Sequence, residues 1–503
     1  MIKIQSIDNY KERLKMELLS NMGFERNPFS KFSAEDERAY LKEIYVTPRF
    51  YQTLIEELVE GNSRYLLGER GVGKSALMFY LIEDLKNKGI YPILIDEYDG
   101  TPLKNNGYEL LRLVERSIIT KLGVELLCNK SKIKKLTKDD REKLAFLINV
   151  FFENISKNKV KELYEEISGE KKENIFKRIC NHFLIRPINI ILSGASNVAG
   201  VTVSKALGLP IINNNVVYFQ FVPELLENGD SKEYSKMNYK DIKVILRETA
   251  VLIEKLGYKK LIVFFDKLDE YTKLKSQIDL IVDFIEPLTT DTSLIYSQEF
   301  GFEFLLWNKL KEKMKEKQVR FDKARPIDID WSRDELEKIL SRRLSFFSGH
   351  KVKVEDVFED SNKLNKVIEL ANGSPRQLTM LFARIYDEQS KIDGNVKKFS
   401  DEAVQQGMNG FCQNFEYELF YPKLTIKDVV NRILKVGKME FIIRDLANAT
   451  KKSIPTATNW VRTMQNVGFV EEIEGEISGK AKVYRVIEPK IRYMLEYGLN
   501  YLG

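Results

Sequence analysis

The stretch Tyr65 to Tyr80, YLLGERGVGKSALMFY, constrains this chain more than any other. Tyr65-Leu66-Leu67 reads as the end of a buried strand. Ala76, Leu77, Met78, Phe79, Leu81 and Ile82 carry on as a helix. Between them Gly68-Glu69-Arg70-Gly71-Val72-Gly73-Lys74-Ser75 fits G-x-x-x-x-G-K-[ST]. The glycines admit backbone turns barred to other residues, so successive N–H groups can face one point. A helix N-terminus adds unpaired N–H groups and a positive dipole end. The product is a cradle for phosphate, expected to take ATP along Gly68 to Ala76. Lys74 is expected to reach the β and γ phosphates, and the Ser75 hydroxyl to ligate Mg²⁺.

A second run, Leu261-Ile262-Val263-Phe264-Phe265-Asp266, is an apolar strand ending in an acid, followed by Lys267-Leu268-Asp269-Glu270. Asp266 suits a magnesium-organising carboxylate acting together with Ser75. Glu270, with Asp269 as the lesser choice, suits a group that orients and polarises water. Phosphoryl transfer asks mainly for positioning and charge neutralisation, so these few groups suffice. A strand over Phe302–Trp307 is expected between the cradle strand and the acidic strand, with Asn308 at its tip as a γ-phosphate sensor. Arg320 or Arg325 could serve as a finger toward a neighbouring subunit's nucleotide. Residues 91–98, YPILIDEY, read as a further parallel strand ending in Asp96 and Glu97.

Four segments are expected. Residues 1–45 form a polar lead-in in which Asn27-Pro28-Phe29 suggests a docking turn. Residues 46–331 form an α/β core, a parallel sheet flanked by helices with a helical insertion at about 101–238. A helical lid spans 332–423, opened by the capping box Ser332-x-x-Glu335. Residues 424–503 read as a winged helix. Within the core, residues 46–62 read as a helix with Phe50, Leu54, Ile55 and Leu58 on one face. In the insertion, Lys130, Lys132, Lys134, Lys135 and Lys138 form a basic cluster that suits a solvated face. Ile190–Leu192 and Val201–Val203 are expected to pair as an apolar hairpin, either buried or a partner surface. In the lid, Asn372-Gly373-Ser374-Pro375-Arg376 starts a helix, since proline suits the first helical position. Arg376 could reach back toward the γ phosphate.

GERGVGKS, LIVFFDKLDE and NGSPR occur in the order seen in AAA+ and STAND-type ATPases. Residues 45–385, apart from the insertion, resemble the initiator (origin-recognition) branch and bacterial ATPases of defence loci. The resemblance implies a P-loop NTPase fold, ATP hydrolysis, Arg376 as the lid sensor, and a role in anti-phage defence. It implies a homo-oligomer or an effector protein as partner. The chain departs from the pattern at Trp307-Asn308, where some relatives carry arginine, and it offers no single finger arginine.

Composition narrows the partners. Charged residues make up 31% of 503 positions, yet the net charge is only +6, which permits nucleic acid without demanding it. Cys128, Cys180 and Cys412 are scattered and the histidines are His182 and His350 alone, which argues against a disulfide framework, a zinc site or a Ser-His-Asp triad. A reducing, cytoplasmic setting fits, and no apolar run is long enough for a membrane span. In the C-terminal segment the third helix carries Arg462 alone, and Glu471, Glu472, Glu474 and Glu476 crowd the wing. Lys451, Lys452, Lys480 and Lys482 supply part of a basic face. DNA and a docked protein both remain open as its partner.

Overall fold

Four apolar runs and one short edge strand make the central sheet. In this computed structural model β1 (Arg64–Gly68), β2 (Tyr91–Ile95), β3 (Leu261–Phe265), β4 (Phe300–Trp307) and β5 (Pro326–Asp328) pair in parallel, in the order β2-β3-β4-β1-β5. The structure describes residues 14–153, 162–163, 198–221, 234–360, 362–421, 425–478 and 481–503, with the backbone alone at 198 and 474–478. The chain divides into two compact units. One comprises Arg49–Gly68 and Leu81–Asp328; the other comprises Met1–Pro48, Glu69–Tyr80 and Ile329–Gly503.

The sheet lies in the Arg49–Gly68 and Leu81–Asp328 unit. β3 and β4 are buried along their whole length, as parallel strands covered on both faces must be. β4 does lie between β1 and β3. Its Phe304 stacks on Tyr65 of β1 at 5.3 Å and on Phe265 of β3 at 4.8 Å, a ring ladder across three strands. The register sets Gly68 level with Trp307. All five strands run the same way, so their carboxyl ends share one edge.

Helix α1 (Tyr51–Val59) buries Leu54, Ile55 and Leu58. It is shorter than the expected 46–62. Pro48 disfavours helical Thr47, and Gly61 turns the chain at φ +86°. The Tyr51 hydroxyl donates to Asp84 of α2 (Lys74–Asn87) at 2.6 Å. The described residues of the insertion form the helices α3 (Gly107–Cys128), α4 (Lys138–Phe151), α5 (Val198–Leu207) and α6 (Asn214–Phe221). Lys130–Lys135 form a 3₁₀ turn between α3 and α4. Then α7 (Tyr239–Lys255) begins at a capping box of Asn238 and Asp241, and α8 (Ile278–Thr289) follows β3.

The hairpin expectation fails at Val201–Val203, which lie inside α5. Gly200 sits so near α4 that a Cβ there would run into the Ile148 carbonyl, while Val203 and Ser204 are buried. Close helix packing through small residues overrides the β-branched preference. Ile190–Leu192, the other arm, falls outside the described residues, as do Cys180, His182 and Lys480.

In the other unit, α9 (Arg333–Phe347) starts at the expected Ser332/Glu335 capping box. After it come α10 (Asn362–Ala371), α11 (Pro375–Ile392) and α12 (Asp401–Gln413). The lead-in docks on them. Phe29 stacks on Phe382 at 4.9 Å, and the Arg343 guanidinium meets the Glu37 carboxylate and the Pro28 carbonyl. The last segment is α13 (Ile426–Val436), β6 (Glu440–Ile442), α14 (Ile443–Thr450), α15 (Ile454–Asn466), β7 (Val470–Ser478), β8 (Ala481–Val486) and α16 (Pro489–Glu496). Its strands form an antiparallel sheet ordered β6-β8-β7. A buried ion pair, Lys490 to Glu488 at 2.8 Å, ties it to the preceding turn, because Glu488 also accepts from the Tyr417 hydroxyl at 2.8 Å.

Candidate nucleotide site

The glycine loop leaves the end of β1 and enters α2 without a spacer. Gly68 closes β1, Glu69 and Arg70 lead out, and Lys74 is the first residue of α2, with Ser75 and Ala76 in its first turn. Gly71 and Gly73 take φ of +82° and +92°, the left-handed region in which a side chain is strained. Left-handed glycines either side of Val72 suit a phosphate loop, which needs successive N–H groups able to face one point. The Lys74 ammonium donates to the Glu69 carbonyl at 3.0 Å.

Donors from Trp331, Ser374 and Arg376 meet the carbonyls of this loop. The Ser374 hydroxyl donates to the Gly71 carbonyl at 3.0 Å, and the Arg376 backbone N–H donates to the same oxygen at 3.3 Å. The buried Trp331 indole N–H donates to the Val72 carbonyl at 2.7 Å. Farther along, the Arg70 guanidinium donates to the Leu419 carbonyl at 2.5 Å. Asn372 and Gly373, at φ +47° and +73°, bend the chain so that Ser374 caps α11 and Pro375 starts it. Arg376 therefore has its backbone at the loop and its side chain exposed.

The acidic motif occupies the shared carboxyl edge of the sheet in its own unit. Asp266 follows β3 and is 2% exposed; its N–H donates to the Ile95 carbonyl at 3.0 Å. The Tyr98 hydroxyl donates to the Asp266 carbonyl at 2.8 Å. Burial, then the neighbouring carboxylates of Asp266, Asp96 and Asp269, push that hydroxyl well above the usual tyrosine range. Three acids thus converge on Tyr98. Lys267, at φ +58°, turns the chain and places its ammonium 3.7 Å from Asp96. Asp269 is buried and its carbonyl accepts from the Ser276 hydroxyl, whereas Glu270 is exposed. Asn308 follows β4; its side-chain carbonyl oxygen is buried with no hydrogen-bond partner among the described residues. A buried acceptor of this kind calls for a donor.

Arg320 pairs with Asp322 at 2.7 Å, and Arg325 is exposed. Sequence reasoning missed the loop contacts of Trp331 and Ser374 and the role of Tyr98. Among the described residues, no group of three or more His, Cys, Asp or Glu side chains could hold a metal, and no helix is long and apolar enough to cross a membrane.

No protein-family model and no curated protein sequence matches this chain. Among solved structures it is similar to the Aeropyrum pernix ORC1 protein in complex with DNA, at 10% identity and a TM-score of 0.36, over 92% of this chain and 96% of that one. Similarity to the Drosophila ORC bound to DNA is at 9% identity and a TM-score of 0.28, over 93% and 92%. The Thermotoga maritima RuvB Holliday junction branch migration motor matches at 13% identity and a TM-score of 0.24, over 51% of this chain and 84% of that one. The assignment of an α/β P-loop NTPase fold rests on the chain's own evidence: a parallel sheet in the order β2-β3-β4-β1-β5, with a GERGVGKS loop leaving β1.

Proposed function

We propose that this chain binds and hydrolyses ATP and works as a nucleotide-dependent regulatory switch. The carrying observation is the glycine loop, with two left-handed glycines between β1 and a helix that begins at Lys74. In this reading the loop N–H groups and the Lys74 ammonium bind the phosphates, and Arg376 reports the γ phosphate to the lid. Ser75 and Asp266 are hard oxygen donors that suit Mg²⁺, which takes its remaining ligands from phosphate and water. The bound ion neutralises charge that develops on the transferred phosphoryl group. Glu270 orients and polarises the attacking water, and Asn308 supplies a polar contact at the same sheet edge. The output is regulatory, in anti-phage defence by resemblance, through oligomerisation or a separate effector protein.

The test is ATP binding and phosphate release by the full chain. Lys74→Ala is expected to lose most binding. Glu270→Gln is expected to keep binding and to lose about 100-fold or more in release, the usual weight of a proton-accepting group. Unchanged release in Glu270→Gln would remove the hydrolytic role from that residue.

A second reading, a winged helix placed on duplex DNA, is favoured by one observation. Helix α15 contains no acidic residue, and Lys451, Lys452, Asn459, Arg462 and Asn466 are exposed on it or just before it. Amide and guanidinium groups are the usual readers of base edges. Binding to duplex DNA that weakens with salt and with Lys451→Glu/Lys452→Glu would support this reading, and salt-insensitive or absent binding would favour a docked protein instead.

A further inference from the structure

We infer that Trp331, just before the lid segment, and Ser374, within it, are positioning residues that aim the phosphate-binding N–H groups of the glycine loop. The inference rests on the phosphate reading of that loop and goes beyond it. A peptide unit is planar, and none among the described residues is cis, so each C=O in this loop points opposite to the N–H of the next residue. The Gly71 carbonyl shares its peptide with the Val72 N–H, and the Val72 carbonyl shares its peptide with the Gly73 N–H. Holding those two oxygens from outside therefore turns those two N–H groups to the opposite side, toward the hollow of the loop.

The holding groups are well placed to do so. The Trp331 indole is buried, and its only donor goes to the Val72 oxygen at 2.7 Å. The Ser374 hydroxyl, itself buried, goes to the Gly71 oxygen at 3.0 Å. The Arg376 N–H, one of the orphan donors of the first turn of α11, shares that oxygen at 3.3 Å. Glycine needs such restraint more than other residues do, because left-handed and right-handed backbones cost it nearly the same. Without the lid donors the two peptides can rotate, and the cradle loses its preorganisation before any phosphate arrives. Phosphate affinity thus depends on whether the lid sits against the loop, and lid position depends in turn on phosphate, as linkage requires.

The test is calorimetric titration of the full chain with ADP and, separately, with adenosine, which has no phosphate. Trp331→Phe keeps a large ring and removes the donor. It is expected to weaken ADP about tenfold, the usual effect of stranding one buried acceptor, with adenosine affected less than twofold. Ser374→Ala is expected to act likewise, and Ser374→Thr, which retains a hydroxyl and the helix cap, to restore ADP affinity. Equal losses of ADP and adenosine would mean a merely structural role and would overturn the inference. ADP affinity unchanged in both Trp331→Phe and Ser374→Ala would overturn it as well. Should Trp331→Phe fail to fold by circular dichroism, the Ser374→Ala and Ser374→Thr pair decides alone. Lys74→Ala keeps the two levels apart. If it binds ADP as the wild type does, the phosphate reading fails. If it weakens ADP while the lid variants do not, the cradle stands and the positioning role falls.

Discussion

Gly71→Ala separates the cost of an unusual backbone from the cost of lid contact. Gly71 stands at φ +82°, and a methyl built on it lies 2.9 Å from the Ser374 hydroxyl oxygen, 3.1 Å from Arg376 Cβ and 3.4 Å from Arg376 Cδ. An alanine in the left-handed region costs about 1–2 kcal/mol. Relief of the close contacts requires the start of α11 to shift away, which breaks the Ser374 hydrogen bond and adds about 1 kcal/mol. The first cost has its own calibration at Gly100, which has φ +84° and nothing within 4 Å of an added methyl. Urea melts of the full chain are expected to show Gly100→Ala losing the backbone cost alone, with ADP affinity unchanged. Gly71→Ala should lose about 1 kcal/mol more, the hydrogen-bond increment, and should also bind ADP more weakly. Equal stability losses in the two variants, with wild-type ADP affinity in Gly71→Ala, would refute the claim that the lid presses on this loop.

Two further outcomes follow from burial. Burial raises the Glu115 carboxyl from 4.5 to about 8, against the opposing pull of the Thr249 hydroxyl that donates to it. Its folded-state affinity for a proton exceeds the unfolded one, so its contribution is full below 4.5 and is lost as pH rises through about 8. Between those limits wild type should lose about 1.4 kcal/mol per pH unit relative to Glu115→Gln, and denaturation curves at pH 5 and pH 7 that differ equally for both proteins would disprove it. Gly407 of α12 packs on α11 so closely that a methyl would lie 2.8 Å from Ile385 Cα and 2.9 Å from its backbone nitrogen. Alanine gains about 1 kcal/mol in helix propensity there, but overpacking against backbone costs about 1–3 kcal/mol, so Gly407→Ala should melt lower. A higher melting temperature would mean that the two helices separate freely.

What the sequence made legible was mostly local. The Ser332/Glu335 box and the Ser374-Pro375 start announced α9 and α11 because a cap joins neighbours three residues apart. Strand β3 was readable because it is apolar and buried throughout, and β1 and β4 because their runs are apolar apart from Arg64 at the start of β1 and the buried Glu303 within β4. Val201–Val203 misled for the opposite reason. Its β-branched residues favour a strand in isolation, whereas the deciding contact is Gly200 against Ile148, far away in the chain. Asn308 was readable as a polar tip, but the missing partner of its buried oxygen appears only when the sheet edge is assembled.

The same distinction separates two kinds of information in the glycine loop. Gly71 and Gly73 declare that the backbone can take left-handed turns, since nothing else in the sequence asks for glycine at that spacing. They do not declare which way each peptide faces, because glycine accepts either. That choice falls to donors that hold the carbonyls, and Trp331 lies 259 positions from Val72. No periodicity or spacing rule spans such a distance, so the motif does not announce the groups that hold its carbonyls. A conformationally free loop is useful as a switch only if something outside it removes the freedom, and the restraint we infer here comes from Trp331 and Ser374.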